Sequence, residues 1–348
     1  MKQYLDLLDE ILTNGIYKPN RTGIGAYTIA GAIFKHDMSK GFPILTTKKM
    51  PFKTIAVELE FFIKGYTDKR WLQERKCYIW DEWCNPEKLE ERMKNITLEE
   101  YPKIISEILE DKSTSPKLVD KIKSEDTLNK IKNALNNKKE KKAPIDNTLE
   151  KSIREILQMH ERDLGPIYGW QWRHFGAKYE GYDKDYTAQG LDQLSNIVNK
   201  LKTNPNDRRM IVTAWNPLDL KKMALPACHY GFQVTVIGDK INLLWNQRSV
   251  DTILGLPFNI TSYGLLLHLL SKETGLKEGT LTGFLSDVHI YENHVEKAKE
   301  QLSRDPDKYP LPKIKTKNFT HIFDWNYTDS ELINYLSYPK IDFGKVAV

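Results

Sequence analysis

Apolar residues open the chain at helical spacing. Tyr4, Leu5, Leu8, Ile11 and Leu12 fall on one face before Gly15 ends the run, which predicts a short amphipathic helix. Two stretches, about Ala26 to Phe34 and Phe42 to Thr46, read as β. A long apolar-rich helix follows from about Lys53 to Ile63, closed by Gly65 and carrying Glu58 and Glu60. Trp71-Leu72 begins another short helical piece, and Tyr78-Ile79-Trp80-Asp81-Glu82-Trp83 is too aromatic for an ordinary loop.

Beyond Leu164-Gly165-Pro166-Ile167-Tyr168-Gly169, which reads as a turn, a helix is predicted over Leu191 to Leu201 and a strand over Met210 to Ala214. Gln233 to Val236 and Ile241 to Trp245 alternate and form a predicted β-pair. Thr261 to Thr274 is an apolar helix stopped by Gly275, Thr280 to Ile290 a strand, and Tyr291 to Leu302 a last helix. Strands with helices mostly at their sides predict an α+β fold.

One section breaks this pattern. From about Cys84 to Asp163 the chain turns to Lys, Glu, Asn, Leu and Ile, with helical spacing in Ile104-Ile105-Ile108-Leu109 and Leu149-Ile153-Ile156-Leu157. A small helical subdomain inserted at about 85–162 is expected, with a Lys-rich link around Asn136 to Lys142 that reads as solvated surface.

The 348 residues, 40% of them hydrophobic, can bury a sizeable core, and a net charge of +5 suits an anionic small molecule without demanding one. Cys77, Cys84 and Cys228 are too few for a disulfide framework, and no apolar run reaches the length of a signal core or membrane span. A reducing, cytoplasmic setting is the expectation. Cys77 and Cys84 lie seven apart with no paired ligands at zinc spacing, so no metal is expected, and no Walker loop or paired-glycine dinucleotide fingerprint is present.

The chemistry concentrates between Met223 and Tyr263. Leu225-Pro226-Ala227-Cys228-His229 is followed by Asn246-Gln247-Arg248-Ser249-Val250-Asp251 and Gly255-Leu256-Pro257-Phe258-Asn259. A lone cysteine is more often a small hydrophobe than a nucleophile. Here it lies two residues after a proline, just ahead of the alternating Phe232-Gln233-Val234-Thr235-Val236, which sets it at a strand mouth. A thiol attacks well as its thiolate, and a guanidinium can hold that anion near neutral pH, so Cys228 and Arg248 are a candidate pair.

These blocks, with Arg21-Thr22-Gly23, Gly41-Phe42-Pro43, Thr46-Thr47-Lys48, the Glu58 helix, Ile79 to Trp83, Asp163 to Trp172, Arg208-Arg209, Asp287-Val288-His289-Ile290-Tyr291 and the tail Val346-Ala347-Val348, resemble the thymidylate synthase family. The resemblance covers the chain except for about Cys84 to Asp163, where some members carry an insertion. It implies one catalytic domain over 1–348, a mixed β-sheet packed with helices, and dimerisation through that sheet.

By position, the resemblance implies that Cys228 adds to carbon 6 of deoxyuridylate and that Glu58 works through water on proton transfers. Arg248, Asp251 and Asn259 complete the implied catalytic set. Arg21, Arg248 and Ser249 match phosphate ligands, and Arg208 and Arg209 match a pair reaching the phosphate of the other subunit. Gln247 matches a substrate-binding position, Asn259 matches the amide that reads the base, and His289 and Tyr291 match contacts to the sugar hydroxyl. The implied co-substrate is 5,10-methylene-tetrahydrofolate, on a side formed by Lys48, Ile79, Trp80, Trp83, Leu225, Asp251, Gly255, Phe258, Tyr291 and Val348, the last in a carboxy-terminal lid.

Some positions depart from the family pattern. Ala227 stands where proline is usual before the cysteine, Asn246 where an aromatic is common, Ser286 where glycine is usual, and Glu60 adds a carboxylate near Glu58. If Glu60 and Asn246 face the cavity they could order a water, so a deoxyuridylate hydroxymethylase stays open beside a methylating enzyme. A deoxycytidylate hydroxymethylase and a nucleic-acid regulator acting through the Lys-rich link are the remaining alternatives.

Overall fold

The computed structural model describes residues 1–20, 23–97, 100–124, 129, 133 and 147–344. Helix α1 (Lys2–Asn14) buries Tyr4, Leu5, Leu8 and Ile11, the face its spacing predicts. Strand β1 (Ile16–Lys18) then hairpins back onto β2 (Ala26–Asp37), which is three residues longer than its sequence signal. Phe42 to Thr46 forms no strand. The run is buried because it passes under the core, and Phe42 N–H is satisfied by the Pro312 carbonyl at 2.8 Å rather than by a ladder.

Helix α2 (Phe52–Ile63) turns Ile55, Leu59, Phe62 and Ile63 into the core, and α3 (Lys69–Glu74) is capped by Asp68, whose carboxylate accepts from Arg70 N–H. The helices α4 (Pro86–Asn95), α5 (Tyr101–Glu110), α6 (Pro116–Lys123) and α7 (Asn147–His160) follow. Asn85 and Ser115 cap α4 and α6, each with proline in the first turn, where no intrahelical N–H is lost. Leu89, Tyr101, Ile108, Leu118, Ile122 and Ile156 close a hydrophobic cluster of their own, distinct from the main core. The run Asn136 to Lys142 lies outside the described residues.

The stretch read as a turn before Gly169 ends in a helix, α8 (Tyr168–His174), and α9 (Gln193–Thr203) starts two residues later than its spacing indicates. Strands β3 (Ile211–Thr213), β4 (His229–Ile237), β5 (Lys240–Asp251) and β6 (Lys277–Tyr291) complete a six-stranded sheet in the order β1-β2-β6-β5-β4-β3. β5 and β6 are parallel and all other neighbours antiparallel, so the sheet is mixed.

The crossover between β5 and β6 is α10 (Gly255–Thr274), buried along Leu265 to Leu270 and ended by Gly275 at φ 72°, a left-handed cap that suits glycine. It begins six residues before the predicted start. Pro257 falls in the first turn, where its missing N–H costs no helical bond, so Gly-Leu-Pro opens the helix rather than preventing it. The last helical segment resolves into a 3-10 turn and α11 (Val295–Leu302). A small ribbon, β7 (Lys313–Thr316) with β8 (Ser330–Ile333), has no clear signal in the sequence.

One sheet face carries the helices and core. The other presents Ile33 and Phe284, paired in register and exposed by 67% and 41%, and Ile211 on the edge strand, exposed by 55%.

Candidate active site

Cys228 immediately precedes β4, where a register shift between His229 and Gly231 opens the ladder with β5. Arg248 lies one residue beyond that shift, opposite Cys228. Its N–H donates to the Cys228 carbonyl at 2.9 Å, its Nε to the Ala227 carbonyl at 3.0 Å and its Nη2 to the Pro226 carbonyl at 2.8 Å. The same Nη2 lies 3.9 Å from Cys228 Sγ. The guanidinium is thus fixed by backbone carbonyls, one of them from Ala227, and its charge favours the thiolate.

Tyr168, the first residue of α8, accepts the Cys228 N–H at 2.8 Å and stacks on His229 with ring centroids 4.3 Å apart. Burial pushes His229 down to about 3, so at neutral pH it is an uncharged packing ring, 2.9 Å through Nδ1 from the Tyr263 hydroxyl. The Cys-His neighbours in sequence therefore form no thiolate-imidazolium couple. Tyr168 also packs on Phe62 at 4.9 Å and Trp80 at 6.1 Å, which brings the thiol and the α2 carboxylate to one space.

That carboxylate is Glu58. Trp80 Nε1–H donates to its Oε1 at 2.8 Å. Apolar enclosure raises Glu58 to about 7, against the smaller opposing effect of the indole N–H, so it can give or take a proton at neutral pH. Glu60 belongs elsewhere. About 200° further round the helix, it is buried and accepts the Tyr327 N–H at 2.7 Å, so it does not reach the cavity.

Asn246 is likewise turned away. It alternates with the buried Trp245 and Gln247 and pairs in register with Phe284, which puts it on the sheet's exposed face. Neither of the two side chains expected to order a water, if they faced the cavity, is turned toward it. Ser286 is exposed.

Asn259, at the fifth residue of α10, is no helix cap. Its Oδ1 accepts from Gln247 Nε2 at 3.1 Å. The polarity of this amide pair is set by groups that cannot reverse. Trp245 Nε1–H, which only donates, meets Gln247 Oε1 at 3.1 Å, and the Ser249 carbonyl, which only accepts, meets Gln247 Nε2 at 3.1 Å. Asn259 Nδ2 is left to donate outward.

The parallel pair β5 and β6 supplies the adjoining wall. Ser249 faces Asp287 and Asp251 faces His289 in register. His289 Nδ1 lies 3.0 Å from Asp287 Oδ1, and the Tyr291 ring is 5.1 Å from the imidazole. Asp251 turns the chain into α10 by accepting from Ile253 and Leu254 N–H at 2.9 and 3.0 Å. A Cβ added to Gly255 would stand 3.7 Å from Asp251 and 3.9 Å from Asn259, so this glycine lies between them.

On the other side, Trp80 and Trp83 meet edge to face at 6.3 Å, with Ile79, Phe258 and Leu225 half-buried against the core. Lys48 is buried, its Nζ donating to the Ile253 carbonyl at 2.6 Å and lying 4.7 Å from the Phe343 ring centre, and burial lowers it to about 8. Arg208 and Arg209 are not brought to the thiol within the chain. They line a shallow hollow with Asn204, Asn206 and Asp207 next to the edge strand β3. Arg21 and Val348 lie outside the described residues.

Several contributors went unremarked in the sequence as site residues: Tyr168, Tyr263 and Trp245. No spacing rule joins Tyr168 to a cysteine sixty positions away, and only its place in an aromatic block hinted at a role.

The sequence profile described as thymidylate synthase matches residues 2–348. A bifunctional dihydrofolate reductase-thymidylate synthase of Paramecium tetraurelia is 37% identical over 346 residues, which are 99% of this chain and 61% of that protein. One from Leishmania major is 36% identical over 343 residues, 98% of this chain and 54% of that protein. The chain thus spans between about half and three fifths of the curated relatives it matches. With the profile covering nearly every residue and the thiol, guanidinium and carboxylate gathered in one site, the chain belongs to the thymidylate synthase family.

Proposed function

We propose that this chain methylates carbon 5 of deoxyuridylate, taking both the one-carbon unit and a hydride from 5,10-methylene-tetrahydrofolate. The observation that carries the reading is the Cys228 thiol held 3.9 Å from a guanidinium that the Pro226 and Ala227 carbonyls fix. The thiolate adds to carbon 6, and the electron pair moves to carbon 5 and O4, making carbon 5 the nucleophile for the one-carbon unit. Asn259 Nδ2 donates to O4 while its Oδ1 accepts from N3–H, a pattern cytosine does not present.

Glu58, poised near neutrality, removes the carbon 5 proton through water. Loss of the folate amine leaves an exocyclic methylene, hydride reaches it, and the thiolate departs from carbon 6. With Glu60 and Asn246 facing elsewhere and the buried Trp80 seated on Glu58, hydride transfer is favoured over water addition.

Arg21, Arg248 and Ser249 hold the phosphate, with Arg208 and Arg209 reaching the phosphate of the other subunit in a homodimer formed by the exposed apolar sheet face. His289 and Tyr291 meet the sugar hydroxyl. Trp80, Trp83, Ile79, Leu225, Phe258, Asp251, Gly255 and Lys48 form the folate side, which Val348 closes. The helices at about 85–162 are an insertion in one catalytic domain, and a thiol that must stay reduced fits the cytoplasm.

Product analysis after incubation with deoxyuridylate and methylene-tetrahydrofolate tests this. Dihydrofolate in step with a 5-methyl product is expected. Tetrahydrofolate with a 5-hydroxymethyl product would move the assignment to a hydroxymethylase.

A further inference from the structure

The helices between Pro86 and His160 are not merely appended. Their last turn reaches the loop that carries the folate-side tryptophans. Lys69, at the start of α3 and 1% exposed, donates through Nζ to three backbone carbonyls: Asp81 at 3.0 Å, Trp83 at 2.8 Å and Gln158 at 2.9 Å. Gln158, on α7, returns the contact by donating through Nε2 to the Glu82 carbonyl at 2.5 Å. Three successive carbonyls after Trp80 are therefore held by one buried ammonium and one inserted glutamine.

The remaining bonds close the assembly. Gln73 Nε2 donates to Asp81 Oδ1 at 2.9 Å, Lys69 N–H to the Arg162 carbonyl at 2.9 Å, and Asn85 N–H to the Asp163 carbonyl at 2.7 Å. Burying an ammonium this fully is costly and is offset only when every ammonium proton is accepted, and here all three are. Such an arrangement fixes the loop backbone at one position. Trp80, the residue directly before it, donates to Glu58.

We propose that Lys69 and Gln158 are positioning residues for the reaction, through which the inserted helices hold Trp80 and Trp83 against the folate co-substrate and keep the Trp80 N–H on Glu58. Neither residue touches substrate. Their effect passes through the backbone of Asp81 to Trp83, so it falls on the folate side and spares the nucleotide side, whose residues sit on β5, β6 and α10. The inference rests on the proposed function.

The test measures both Michaelis constants in wild type, Lys69→Met and Gln158→Ala. Met keeps the length and apolar stem of lysine but donates nothing. In Lys69→Met the KM for methylene-tetrahydrofolate should rise about tenfold, the scale on which small displacements act, while the KM for deoxyuridylate stays within about twofold. Gln158→Ala should move the same constant in the same direction by less, and it stands alone if Lys69→Met does not fold. Loss of active protein without a position effect lowers kcat and leaves both constants unchanged, and that result in Gln158→Ala overturns the inference. A wild type with no turnover of deoxyuridylate would instead sink the proposed function.

Discussion

The two walls of the proposed site, one for the nucleotide and one for folate, are built differently. The nucleotide wall is written into a ladder: Ser249 beside Asp287 and Asp251 beside His289 are consequences of β5 pairing with β6, and every residue between them is fixed by the same hydrogen bonds. The folate wall has no ladder. Trp80 and Trp83 sit in turns between α3 and α4, and their place depends on side chains donating to carbonyls from α3 and from α7, more than seventy residues away. Geometry made by register is robust to single changes, whereas geometry made by a few side-chain donors is open to them.

Removing the nucleophile should have the largest effect and fall on the nucleotide wall alone. Cys228→Ser is expected to lower turnover by about three orders of magnitude or more while nucleotide binding, followed by calorimetry, persists. Near-normal turnover would erase the distinction between binding and chemistry on that wall.

Glu58, where the walls meet, comes next. Glu58→Gln should cost about 10²- to 10⁴-fold in kcat. It should also stabilise the protein in a pH-dependent way. The folded carboxyl, at about 7, binds its proton more tightly than in the unfolded chain, so stability falls as pH rises through the interval between the ordinary carboxylate value and about 7. The variant escapes that loss. Its melting temperature should exceed wild type at pH 8 and approach it near pH 4, and an equal difference at both pH values would contradict the protonation account.

A smaller effect probes the polarity of the nucleotide wall. Trp245→Phe keeps the ring that stacks on Tyr263 at 5.4 Å but withdraws the N–H from Gln247 Oε1, leaving the Ser249 carbonyl as the remaining restraint. Loss of about 1 kcal/mol of orientation should narrow the preference for deoxyuridylate over deoxycytidylate roughly fivefold, read as the ratio of kcat/KM values. The smallest effect belongs to Trp80→Phe. The indole N–H opposes the upward shift of Glu58, so the pKa of kcat attributed to Glu58 should move further up, and a downward move would show that the contact does not favour the carboxylate.

The same contrast explains what could be read in advance. β2, β4, β5 and β6 announce themselves because each has a core face and an alternating pattern, and α2 because its apolar stripe is long. Phe42 to Thr46 misleads, since a buried extended segment looks like a strand whether or not a neighbour pairs with it. The start of α10 was hidden by Pro257, which reads as a breaker in sequence and is harmless in a first turn.

Among site residues, Cys228 with Arg248 was legible because Cys228 directly precedes β4 and Arg248 lies on β5, the strand paired with it. That Glu60 and Asn246 face away follows from helix angle and strand parity once the element bounds are known. Tyr168, Lys69 and Gln158 could not be inferred: their roles arise from hydrogen bonds to distant backbone groups, which leave no periodicity.

Covalent attack by Cys228 is the claim on which both walls depend, and mass spectrometry of a trapped adduct tests it most directly. With 5-fluoro-deoxyuridylate and methylene-tetrahydrofolate the fluorine cannot leave carbon 5 as a proton does, so the reaction should stall with nucleotide and folate bound to the enzyme. The account predicts that added mass on the peptide containing Cys228 and none on Cys77 or Cys84, whose thiols burial pushes up to about 12. Turnover of deoxyuridylate with no adduct on Cys228, or with the mass on another residue, would contradict it.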